Sequence, residues 1–217
     1  MTGYDLANIF GVLLIITSVL VLLAKSPKSG AIVYSAQSLI LVGVFLALAS
    51  STGSAELTTW AGTAFILKVI VVPALMLYAY KKMDGASAGL EPKIKVAKLL
   101  PIVAIEVFVC FALVQGIQLP TAQAAMPLLA ISAAHFFIGL TCIASQRNII
   151  KQVFGYCLME NGAHLTLAIL APTAPKLVEI GITTDAFFAV IIMLVVVYQI
   201  YKVTGSLDAD NLTELKG

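Results

Sequence analysis

The sequence predicts an all-α polytopic membrane protein of about seven transmembrane helices, with the N-terminus outside and the C-terminus inside. Three observations predict it. Of 217 residues, 60% are hydrophobic and only 11% are charged, whereas a soluble domain carries about a quarter charged residues, so the surplus apolar surface has to face lipid. Seven apolar runs each reach the ~20 residues that cross a ~30 Å hydrocarbon core. The basic residues gather in alternate connections between these runs.

The first run spans residues 6–24. No basic segment precedes it and Asp5 is the first charge, so it reads as a retained helix rather than a cleavable signal. The second spans 31–49 and the third 57–80. Pro73 in the third removes one backbone hydrogen bond, and is expected to bend or loosen the helix. The longest connection, 81–96, leads to the fourth run at 97–116, where Pro101 falls near the start and costs little. The fifth, sixth and seventh runs span 126–145, 149–170 and 178–201.

Eleven basic residues fall on one face if the helices alternate: Lys25, Lys28, Lys81, Lys82, Lys93, Lys95, Lys98, Arg147, Lys151, Lys202 and Lys216. Lys176 stands alone on the other side and Lys68 is intramembrane. The basic face is expected to be cytoplasmic. An offset of 120 residues aligns the two ends without a gap, placing 35–39 on 155–159, Leu57 on Leu177, Phe65 on Asp185 and Lys82 on Lys202. Two parallel three-helix repeats are expected, within 1–96 and 126–217, joined by a connector helix in 97–125.

Cys110, Cys142 and Cys157 all lie in apolar runs, with no CxxC pair and no Cys/His cluster of metal-ligand spacing. The chain is therefore expected to hold no cofactor or metal of its own, neither iron–sulfur cluster nor haem, and no disulfide. Basic residues in short connections between apolar runs give no footprint for nucleic acid.

The charges inside the runs point to function. An ionisable group at bilayer depth costs several kcal/mol unless paired, hydrated or neutralised, and is by default a candidate for moving protons or ions. Glu160 lies ~16 Å along the sixth run and Asp185 ~12 Å along the seventh by helical rise. Cys157, Glu160, Asn161 and His164 share a face through spacings of three, four and seven. A His164–Asp185 contact is expected to be within reach. Lys68 lies near the midplane, and Glu160 or Glu106 could pair with it. His135 reads chiefly as a hydrogen-bonded packing residue, and Asn161 and Gln37 as ties between helices. One carboxylate per helix supplies too few oxygens for calcium or magnesium. Glu160, Asp185, His164, Lys68, Glu106 and His135 are the candidate members of a proton path. The competing reading is that these charges only fasten helices in a non-conducting adaptor. An independent secondary transporter ranks third.

Three stretches carry a resemblance: SQRNIIKQVFGYCLMENG at 145–162, VEIGITTDA at 178–186 and SLDADNLTELKG at 206–217. Through them the chain closely resembles the E membrane subunits of hydrogenase-4, from formate hydrogenlyase-type complexes, over nearly its whole length. Its last three helices are also similar to the K subunit of respiratory complex I and its Mrp antiporter C counterpart. That family's two intramembrane glutamates would fall on Cys157, with Glu160 one turn later, and on Asp185. The resemblance implies a subunit of a proton-conducting membrane arm in a bacterial cytoplasmic (inner) membrane. Its partners would be antiporter-like membrane subunits, with a peripheral nickel–iron hydrogenase, iron–sulfur subunits and a formate dehydrogenase carrying the redox chemistry.

Overall fold

The computed structural model describes residues 2–83, 92–117 and 123–214. Lys216, one of the eleven basic residues of the orientation argument, lies outside them, as do the middle of the 81–96 connection and the end of the C-terminal motif.

Local chemistry sets the helix ends. Helix α1 (Gly3–Leu23) starts with a capping box, in which Thr2 and Asp5 satisfy each other's backbone N–H. Helix α2 (Pro27–Thr52) repeats the device with Ser26 and Ser29, and Pro27 takes the first helical position. Gly53, at φ 69°, ends α2 in the left-handed conformation that glycine adopts without strain. Ser54 then caps α3 (Ala55–Ala64). A π-helical segment, Phe65–Val71, continues into α4 (Val72–Lys82), so these three pieces form one span. Helices α5 (Val96–Gln115), α6 (Met126–Ser145), α7 (Ile149–Leu170) and α8 (Lys176–Thr204) follow. Asn148 caps α7 through Oδ1, which accepts from the backbone of Ile150 and Lys151. Among the described residues, seven helices are long and apolar enough to cross a membrane.

The third span departs from a plain bend. Pro73 has no N–H to offer the carbonyl of Val69, and Ser35 Oγ of α2 donates to that carbonyl instead, at 2.7 Å. The π segment lies immediately before this break. It turns Lys68 into the bundle, where the residue is 4% exposed, while Ile66 and Ile70 face outward.

Helices α2, α6 and α7 form the interior. Helices α6 and α7 approach to backbone contact, because a Cβ on Gly139 would strike the backbone of Met159 and Gly155, and one on Gly162 would strike Phe136 N at 2.6 Å. Helix α1 lies on α2 and α6, α5 lies against α6, and α8 lies against α7 and α4. Both α5 and α8 keep most of their surface outside, with Ile105, Phe108, Leu113, Ile192 and Val195 exposed.

The chain after α8 folds back onto the α6–α7 connection. Ile149 N donates to Leu207 O at 3.1 Å and Ala209 N to Arg147 O at 2.8 Å. Arg147 meets both Asp208 and Asp210, and Lys93 meets Asp210 at 2.8 Å. Hydrogen bonding to Arg147 holds the Asp208 carboxyl below its ordinary value, and the same contact raises Arg147.

Candidate intramembrane polar site

The π segment sends Lys68 Nζ toward one face of α7. The ammonium donates to Glu160 Oε2 at 2.5 Å, to Asn161 Oδ1 at 2.8 Å and to His164 Nδ1 at 3.1 Å. Three partners match the three N–H bonds of an ammonium group. Because His164 Nδ1 accepts here, the neutral ring carries its proton on Nε2, which has no partner among the described residues. The ring lies 5.2 Å from Trp60 and 5.1 Å from Phe45, centroid to centroid.

From Asn161 the hydrogen bonds run across the bundle. Asn161 Nδ2 donates to Gln37 Oε1 at 3.1 Å, and Gln37 Nε2 donates to His135 Nε2 at 3.1 Å. His135 must then donate from Nδ1 to Ser18 Oγ, 2.7 Å away, and Ser18 passes its own hydrogen to Leu14 O. Every group in this line has one defined direction, and it ties α1, α2, α6 and α7 to the third span. Buried polar groups are costly unless paired; here each one in the line is paired.

Glu160 is nearly buried, with its side chain 13% exposed, and His164 Nδ1 lies 4.0 Å from its second oxygen. A narrow cavity opens beside the ion pair, lined by Tyr34, Leu67, Lys68, Glu160, Thr183 and Phe187 among others. Its volume open to water centres is about 20 Å³, above the ~10–15 Å³ that one water requires. Transfer of one proton between Nζ and Oε2 converts the ion pair into a neutral amine and acid. The pair stays neutral through that internal transfer, whereas net loss or uptake of a proton leaves it singly charged, so exchange with its surroundings needs polar groups or water beside it.

Two further carboxylates sit elsewhere. Asp185 is exposed on the outer surface of α8. The expected His164–Asp185 contact is not made: His164 is enclosed against Lys68 and the aromatic rings, while Asp185 is exposed on α8. Glu106 does not meet Lys68 either. Helix α5 packs chiefly on α6, and Glu106 Oε1 accepts from Thr141 Oγ1 of that helix. Glu179, which the sequence alone does not single out, is 1% exposed at the start of α8 and accepts from Thr63 and Thr183. The i,i+4 spacing of Glu179 and Thr183 is the one signal that could have found it. Among the described residues no three His, Cys, Asp or Glu side chains converge as a metal site.

Comparison with known proteins returns a consistent set. Hydrogenase-4 component E of Escherichia coli strain K12 is 44% identical over 220 residues, covering 100% of both chains. Hydrogenase-4 component E of Shigella flexneri matches to the same extent. An uncharacterized protein of Mycobacterium tuberculosis is 27% identical over 152 residues, 69% of this chain and 68% of that one. The family model for NADH-ubiquinone/plastoquinone oxidoreductase chain 4L matches residues 127–217. No solved structure matches the chain.

Proposed function

This chain belongs to the hydrogenase-4 component E family, and from that premise we propose that it is a membrane subunit of a hydrogenase complex whose interior carries part of a proton path. The observation that supports the path is the Lys68 ammonium, enclosed by Glu160, Asn161 and His164 beside a water-sized cavity. Glu160 and Lys68 hold and release the proton, with His164 within reach of both. His135 has a different part: two carboxamides separate it from Lys68, and amides orient hydrogen bonds without readily taking up protons. It fixes the network.

The partners follow the same reasoning. Asp185 and the apolar sides of α5 and α8 are exposed on the chain, and a carboxylate at bilayer depth is costly in lipid. We assign these surfaces to neighbouring membrane subunits of antiporter-like type, with Asp185 and Glu106 continuing the path at those contacts. The nickel–iron and iron–sulfur chemistry belongs to peripheral subunits, in a formate hydrogenlyase-type complex of a bacterial inner membrane. The match over 127–217 suits a chain divided into an N-terminal part (1–96), a connector (97–125) and a K-subunit-like part (126–217). The basic ends face the cytoplasm by the positive-inside rule.

The test is Glu160→Gln in the assembled complex, with proton translocation and complex yield measured together. Loss of translocation at normal yield is expected. Normal translocation with reduced yield would identify a fastening residue in a non-conducting adaptor.

A further inference from the structure

Glu179 is a buried charge that the path above leaves unused. It stands ~4.5 Å along α8 by helical rise and is almost completely enclosed. Its Oε1 accepts from Thr63 Oγ1 of α3 and from Thr183 Oγ1 of its own helix, the latter at 3.3 Å. Thr183 also lines the cavity that holds Lys68 and Glu160. One threonine therefore borders both the cavity and the second buried carboxylate. Nearby, Trp60 Nε1 and His164 Nε2 are buried without partners among the described residues, on rings 5.2 Å apart. Unpaired buried polar groups are rare, and two together mark a region suited to solvent.

We propose that Glu179 receives the proton released from the Lys68–Glu160 pair, carrying it toward the end of the bundle where α7 joins α8. The pair loses one proton to water in the cavity. Thr183 Oγ takes up that proton from water as its own hydroxyl proton passes to Glu179 Oε1. The pair ends one proton poorer, Thr183 and the water are unchanged, and Glu179 becomes a carboxylic acid. Asp185, two residues beyond Thr183, is turned outward and is not needed for this step.

The proposal rests on the proton-conducting reading, so its test runs the two side by side. Glu160→Gln, Glu179→Gln, Thr183→Val and Thr183→Ser are each placed in the assembled complex in inverted membrane vesicles. Proton uptake is read with a pH-sensitive dye against hydrogen turnover. Glu179→Gln and Thr183→Val should each lower the ratio at least ~10-fold, in keeping with loss of a positioned proton carrier, and Thr183→Ser should retain it. If Glu160→Gln blocks uptake while Glu179→Gln and Thr183→Val do not, Glu179 is no acceptor and the broader reading stands. If all of them leave uptake unchanged, the broader reading falls as well. Should Glu179→Gln assemble poorly, Thr183→Val, which removes one hydroxyl at nearly constant volume, decides by the same criterion.

Discussion

Glu160 and Asp185 lie on helices that touch, at depths expected to fall within the membrane, and their surroundings differ completely. Glu160 faces inward to a lysine, with histidine and asparagine beside it. Asp185 faces outward and is exposed on the chain itself. The same residue chemistry is therefore satisfied by two routes, one inside the fold and one left to whatever surrounds it. The difference teaches that depth along a helix identifies a costly charge, but helix rotation decides who offsets the cost.

The largest effect expected from breaking this contrast comes from Lys68. Lys68→Met leaves Glu160 enclosed without its cation and removes three hydrogen bonds. Breaking one partner of a buried pair costs roughly 3–5 kcal/mol, which thermal unfolding in detergent would register. Adding Glu160→Leu to Lys68→Met should recover most of that loss, since an apolar pair of similar volume is often no less stable. Proton transfer should stay absent in the double variant. Full translocation by it would remove the pair from the path.

Glycines give the next comparison, with opposite signs on the two sides. Gly139 lies against the backbone of α7, so Gly139→Ala must push α6 and α7 apart; overpacking of this kind costs about 1–3 kcal/mol. Gly181 on α8 borders open space, with nothing within 4 Å of the point where a Cβ would stand. Gly181→Ala should therefore be neutral or raise stability by up to ~1 kcal/mol through helix propensity. A matching loss at Gly181 would show that α8 is closely covered even in the isolated chain.

Asp185→Asn should be smaller still within the chain alone, inside about 0.5 kcal/mol, as for substitutions away from packed features. Its effect belongs to association: retention of the other membrane subunits through detergent purification should fall. Unfolding of the lone chain several degrees lower would place Asp185 inside the fold instead.

The contrast also shows what the sequence carries. The seven spans are legible because hydrocarbon length and loop charge are local properties, and two of the expected spans, 126–145 and 149–170, coincide with α6 and α7. The Lys68–Glu160 pair is legible because both depths converge at midplane. The direction of Asp185 is not, since nothing local fixes the rotation of a helix that is apolar on every side. Depth alone makes Glu106 a partner for Lys68, because it cannot say that α5 packs chiefly on α6. Glu179 escapes notice because a carboxylate in a first turn is ordinarily a solvated group complementing the helix dipole, and its burial depends on Thr63, 116 residues away. The return of the tail to Arg147 is likewise a long-range contact between polar segments with no periodic signature.

The smallest effect is expected where a charge pair meets water, at Arg147 and Asp208. Arg147 is partly exposed, so screening limits what the contact contributes. The signs can still be worked out. The Asp208 carboxyl is held below its ordinary 3.8 by the hydrogen bond from Arg147. Its contribution is fully present above that ordinary value and is lost as pH falls through the lower folded one. Arg147 is raised above its ordinary value by the same hydrogen bond. Its contribution is present below that value and is lost only as pH rises through the higher folded one. Between roughly pH 5 and 9 the clamp on the tail should therefore be constant. Limited proteolysis of residues 205–214 checks this directly: Arg147→Gln should speed cleavage by the same factor throughout that window, with little change in the unfolding temperature of the bundle. A factor that drifts with pH inside the window would mean that another titrating group holds the tail, and the inward pair would then be the simpler of the two ionic contacts.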